Sequence, residues 1–167
     1  RIVVGADTPG IADRLGRLFV CTHSKPLVPG PAFADLPVVM TDVPSAMLVK
    51  YAANSYRAMK ISFVSFLSWL TESLGLDVKA VTAGIGVHPA VVNKFLNIGP
   101  GFGGSCFPKD THASARVVLA AGVRADILLD TIAVNDVQWR RVVDRIAKQL
   151  GGKLSGKTVV LLGAAFK

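Results

Sequence analysis

The chain has 167 residues, 51% of them hydrophobic, with a mean hydropathy of +0.47 and a formal charge of +8. There is ample material for a core, yet no uncharged apolar run reaches the roughly 18 residues that a membrane-spanning helix needs. A basic balance favours anionic partners such as nucleotides or nucleic acid, and equally fits a segment separated from acidic neighbours; no aromatic-interleaved basic stretch suggests single-strand binding.

Two cysteines, Cys21 and Cys106, lie far apart. Neither their number nor their spacing makes a disulfide framework or a zinc site, so no metal is expected and a reducing, cytoplasmic setting is the simplest reading. No targeting segment is visible at the start.

In chain order, strand-like runs at Ile2–Gly5 and Pro37–Thr41 flank a helical stretch from about Pro9 to Phe19, with a loop marked by Pro26, Pro29, Gly30 and Pro31. This reads as the tail of an α/β unit. Asp42 can cap a helix that tolerates Pro44 in its first turn, and no proline or glycine then intervenes before Gly75. Phe63, Phe66, Leu67, Leu70 and Leu74 share one face of it, and the stretch 63–74 reads as buried. Such a helix is about 45–50 Å long at 1.5 Å per residue, suited to the spine of a dimer or to an interdomain strut. Shorter helices are expected from Asp77 to Gly84, from Pro89 to Leu96 and from about Asp110 to Ala121, followed by a long one from Asp126 to Leu150. Gly156–Gly163 has the pattern of a buried strand opening an α/β domain. The chain therefore reads as an internal piece of a longer protein.

The segment Gly99-Pro-Gly-Phe-Gly-Gly-Ser-Cys-Phe-Pro-Lys-Asp110 is the most informative. Gly99, Gly101 and Gly104 satisfy G-x-G-x-x-G spacing, but a dinucleotide fingerprint needs a strand before it and a helix straight after it. Here a helix precedes and Pro108 interrupts. The glycines read better as backbone that approaches a ligand closely and donates N–H groups. They deliver Cys106 just ahead of a helix, with Lys109 nearby, a setting that favours the nucleophilic thiolate. The alternative is a cysteine acting as a small buried hydrophobe. Asp110 reads as a helix N-cap that also orients water. Lys109 is either part of the site or a solvated surface charge. Lys50 and Asn54, four apart on the long helix, share a face and can together stabilise an oxyanion or a water; alone they would be an exposed polar pair.

Lys50-Tyr-Ala-Ala-Asn-Ser-Tyr-Arg-Ala-Met-Lys-Ile-Ser-Phe63 and Gly101-Phe-Gly-Gly-Ser-Cys-Phe-Pro-Lys-Asp110 resemble the two signatures of the UDP-glucose/GDP-mannose dehydrogenase family. Arg1–Gly5 is similar to the end of that family's NAD domain, Val134-Asn135 with Gln138 to a later helical motif, and Gly156–Lys167 to the start of its nucleotide-binding C-terminal domain. The resemblance implies NAD-dependent, four-electron oxidation of a nucleotide-sugar C6 alcohol to the acid, through a thiohemiacetal and a thioester, in a pathway to acidic polysaccharides.

By motif, Cys106 would be the nucleophile, and Lys50, Asn54 and Asp110 would hold the oxyanion and the hydrolytic water. Gly101, Phe102 and Gly103 would line the sugar site, Phe95 and Leu96 would lie nearer the base, Lys109 toward the cofactor, and Lys167 would reach the substrate. The implied fold is a mainly α central dimerisation domain (residues 43–152) between a remnant of the NAD-binding α/β domain (1–42) and the first strand of a C-terminal one (153–167), forming a homodimer through the long helix. No nucleic acid or membrane partner is expected. The family's Asp-x-Arg-Ile-Gly stretch is replaced by His88-Pro-Ala-Val-Val92, its Asn-Glu after Phe63 by Ser65-Phe66, and a glutamate by Met47. The arginine that the family would place at Ala90, expected to reach across the dimer to substrate, is thereby lost, which motivates an alternative, a non-catalytic dimerisation or scaffold piece.

Overall fold

The computed structural model describes residues 2–24 and 38–163. Lys167 and the loop at Pro26–Pro31 lie outside the described residues, as does the side chain of Cys21. The chain falls into two compact units, Arg1–Ala53 and Asn54–Lys167.

In the first unit, strands β1 (Ile2–Gly5) and β2 (Val38–Thr41) pair in parallel, with Ile2 opposite Val38 and Gly5 opposite Thr41. Helix α1 (Pro9–Ser24) connects in sequence from the first strand, as a parallel pair requires a crossover. Helix α2 (Val43–Leu74) begins in this unit and continues into the second. Its first turn is capped by Asp42, whose carboxylate accepts from the Ser45 backbone N–H at 2.8 Å and from the Ser45 hydroxyl at 2.8 Å. Those bonds hold the Asp42 carboxyl below the usual carboxylate range. A depressed carboxylate contributes its cap at neutral pH and loses it as pH falls through the lowered value.

The second unit holds the rest of α2 together with α3 (Val78–Gly86), α4 (Phe107–Ala120) and α5 (Asp126–Gln149). Asp77 caps α3 by accepting from Lys79 N–H at 2.9 Å. Apart from Val64, the buried residues of α2 are small: Ser55, Ala58, Ser62, Ser65, Ser68 and Thr71. Small side chains let neighbouring helices come close, and their hydroxyls are satisfied locally or across the contact. Ser65 donates to Ile61 O, Thr71 to Leu67 O, Ser62 to Thr131 O on α5 at 2.7 Å, and Ser55 to the Ser114 hydroxyl on α4 at 3.0 Å. The apolar residues expected to be buried stand open instead: Phe63, Phe66, Leu70 and Leu74 are all exposed. The hydrophobic stripe and the packed stripe of α2 are therefore different faces.

Three expectations about elements are corrected. The segment from Pro89 to Leu96 is not a helix but a series of turns. Val92 (φ 54) and Phe95 (φ 67) both adopt left-handed backbone that a right-handed helix cannot contain. His88 Nδ1 accepts from Ala90 N–H at 3.2 Å, and Lys60 Nζ, reaching from α2, donates to Val91 O at 2.9 Å and Val92 O at 2.8 Å. Carbonyls that a helix would use internally are used by Lys60. Second, α4 starts at Phe107, so Cys106 occupies the N-cap position and Asp110 lies in the first turn. Pro108, read from sequence as an interruption, sits at the helix start, where its missing N–H costs nothing. Third, residues 157–163 form no strand and Val159, Val160, Leu161 and Leu162 are exposed, since no described strand lies beside them to supply ladder hydrogen bonds.

Val92 is a β-branched residue in a conformation that favours glycine, a strain of about 1–2 kcal/mol for an L-residue. Its side chain is half exposed, so truncation forfeits little burial. Val92→Gly is expected to raise the melting temperature of the chain, the relief outweighing the glycine's extra unfolded-state entropy of about 0.5–1 kcal/mol. A lower melting temperature would show that the turn is not strained.

Candidate active site

Asp110 is fully buried, and the surrounding contacts explain how a carboxylate survives there. Asn54, on α2, donates through Nδ2 to Asp110 Oδ2 at 2.7 Å. Lys109 forms an ion pair with the other oxygen, Oδ1. Removing one partner from a buried acceptor costs about 1–3 kcal/mol. The Asp110 N–H donates to Cys106 O at 2.8 Å as the first helical bond of α4, so the carboxylate sits one turn from Cys106. Ser114, one turn further on, donates to Asp110 O and accepts from Ser55. Asn54 and Ser55 on α2 thus grip two successive turns of α4.

Cys106 is exposed, with Sγ 3.6 Å from Ser105 Oγ. The thiol is accessible rather than packed, which removes the reading of Cys106 as a buried hydrophobe. Lys109 is placed on Asp110 rather than free on the surface. Lys50 lies on α2 four residues before Asn54, in the first unit, with Nζ 5.3 Å from the Tyr51 ring centroid.

The loop before α4 is held from α5. Asn135 accepts from Phe102 N–H at 2.6 Å and donates to Phe102 O at 3.1 Å. Gln138, also on α5, donates to Gly99 O at 2.7 Å and accepts from Trp69 Nε1 at 2.7 Å. Gly101 has φ 108, and a Cβ there would meet Asn135 Oδ1 at 2.5 Å, so no other residue fits. Gly103 is exposed, with open space around its Cα. Phe102 packs edge-on against Phe107 with centroids 6.3 Å apart, and Phe95 lies 6.1 Å from Phe107 on its other contact. The Arg57 guanidinium lies 5.8 Å from the Phe95 ring centroid. Leu96, by contrast, is buried and lines a cavity of about 260 Å³ with Tyr56, Met59, Lys60 and Ile85.

Of the residues singled out from sequence, the structure joins Asn54, Asp110, Lys109 and Cys106 through α2 and α4, and Gly101, Phe102, Phe95 and Cys106 through the aromatic contacts on Phe107. It adds Arg57, Lys60, Ser114 and the gripping roles of Asn135 and Gln138. The spacing of Asn135 and Gln138, three apart on one helical face, was visible in sequence, but their target was not.

Residues 44–137 match the central domain of the UDP-glucose/GDP-mannose dehydrogenase family. The chain belongs to that family. It is 38% identical over its whole length to the UDP-glucose 6-dehydrogenase YwqF of Bacillus subtilis, of which it covers 35%. It is 40% identical over 131 residues, 78% of the chain, to TuaD, another UDP-glucose 6-dehydrogenase of that organism, covering 28% of it. Among solved structures, a UDP-glucose dehydrogenase from Pyrobaculum islandicum superposes with a TM-score of 0.75 at 31% identity, over 89% of this chain and 32% of the other. The chain thus spans about a third of the length of these relatives.

Proposed function

We infer that this chain supplies the reactive-cysteine centre of an NAD-dependent nucleotide-sugar 6-dehydrogenase of the UDP-glucose type. The observation that carries the reading is an exposed Cys106 one helical turn from a buried carboxylate, Asp110, held by Asn54 and Lys109. A thiolate at Cys106 adds to the C6 carbonyl of a sugar aldehyde, forming the C–S bond while the carbonyl oxygen takes the electron pair and then a proton. Asn54 and Asp110 orient the water that later hydrolyses the thioester, and Lys50 stabilises the oxyanion. Gly101, Phe102 and Gly103 line the sugar site, with the Phe95 ring and the Leu96 backbone toward the base; Lys109 acts on the cofactor side and Lys167 on the substrate.

Hydride acceptance is the chemistry NAD supplies. The residues described do not form its cradle: the glycine run 99–104 follows turns rather than a strand, and the turn after β1 lacks the G-x-G-x-x-G spacing. Residues 1–42 and 153–167 are proposed as the adjoining parts of the two α/β domains and 43–152 as the central domain. The open apolar face of α2, with Phe63, Phe66, Leu70 and Leu74 exposed, is proposed to pair with a second copy of the chain. No described helix is long and apolar enough to cross a membrane, and no described cluster of His, Cys, Asp and Glu could hold a metal.

Iodoacetamide at neutral pH tests the cysteine. Cys106 in the folded chain is expected to alkylate faster than the same thiol in the denatured chain; equal or slower reaction would favour the scaffold alternative. Sedimentation equilibrium tests the pairing. A dimer is expected for the wild type and a monomer for Phe66→Asp, and a monomeric wild type would remove the proposal.

A further inference from the structure

We propose that Asn135 and Gln138 are positioning residues that set the loop delivering Cys106, an inference that rests on the reading of Cys106 as the nucleophile. Nothing in the chemistry above uses either side chain, yet both are directed at backbone of one short segment. The Asn135 amide presents an acceptor to Phe102 N–H and a donor to Phe102 O, at 2.6 Å and 3.1 Å, and so fixes both polar groups of one residue as a neighbouring strand would. Gln138 is nearly fully buried, and its two amide atoms have opposite duties: Nε2 donates to Gly99 O and Oε1 accepts from Trp69 Nε1. Trp69 fixes which way the Gln138 amide faces, because only that orientation satisfies the indole N–H and the Gly99 carbonyl together.

The segment cannot slip sideways. Gly101 lies against Asn135 so closely that a Cβ would stand 2.5 Å from Oδ1. From Phe102 the constraint continues through side chains: its ring packs edge-on against Phe107, the first residue of α4, which follows Cys106 directly. Cys106 is therefore bounded from both sides, by α2 acting through Asp110 and by α5 acting through Phe102. A thiol held in one orientation reacts more often per encounter than one on a free loop.

Three variants of the chain separate positioning from general support. Asn135→Ala is expected to speed hydrogen exchange at the Phe102 amide about ten-fold, the loss of roughly one hydrogen bond. It should slow Cys106 alkylation at neutral pH about three-fold or more, while the slowest amides of α2 and α5 exchange as in the wild type. Asn135→Asp keeps the acceptor for Phe102 N–H but sets a carboxylate oxygen against Phe102 O in place of the donor; it should leave the Phe102 amide slow to exchange and still slow the alkylation. Gln138→Glu keeps the acceptor for Trp69 and turns a carboxylate oxygen toward Gly99 O in place of the donor; it should slow alkylation in the same direction, and it serves if Asn135→Ala does not fold. A wild-type Cys106 no faster than the denatured-chain thiol would fail the functional reading itself. A fast wild-type Cys106 left unchanged by Asn135→Ala and Gln138→Glu overturns the positioning role alone.

Discussion

The pairing of Asn54 with Asp110 is the constraint on which the site depends. A carboxylate with no exposed surface is tolerable only while its oxygens are met by donors, and here the donors come from α2 and from the adjacent Lys109. Because Asp110 lies in the first turn of α4, satisfying it also fixes the end of the helix from which Cys106 projects. The Ser55–Ser114 contact repeats the link one turn later. The polar burial that the site needs is thus also what registers α4 against α2.

Helix α2 serves two purposes by having two unlike faces. The serine-rich face packs inward, where small hydroxylated residues allow close approach and satisfy themselves on helix carbonyls. The aromatic and leucine face remains open. Within a single chain this is a costly arrangement, since exposed large apolar residues gain nothing from water. It becomes economical once a second copy covers them, which is why the dimer proposal belongs with the fold and not only with the family.

Much of this was legible in the residues. Asp42 and Gly75 bracket α2, and the observed helix begins and ends beside them, because both signals are local. The glycine-rich run before Cys106 signals close backbone approach, and Gly101 does lie against Asn135 with no room for a Cβ. The failures are equally physical. Residues 89–96 looked helical by composition, but Lys60, 31 positions from Val91 in sequence, captures their carbonyls, and no local pattern reveals such a contact. Pro108 reads as an interruption only for a helix starting at Asp110; in a helix starting at Phe107 it falls in the first turn. The stripe Phe63–Leu74 showed the correct period but not which way it faces, since periodicity identifies a face without naming what covers it. Asn135 and Gln138 were visible as a motif, while the loop they hold could be known only from the fold.

The central claim is that Cys106 adds to a sugar C6 carbonyl within this arrangement. Carbon-13 spectroscopy of a nucleotide-hexose aldehyde labelled at C6 tests it directly, because the thiohemiacetal forms without any oxidant. Addition to the chain should produce a new tetrahedral-carbon resonance, distinct from the aldehyde hydrate, that is lost in Cys106→Ser. Identical spectra for the wild type and Cys106→Ser, containing only aldehyde and hydrate, would contradict the account.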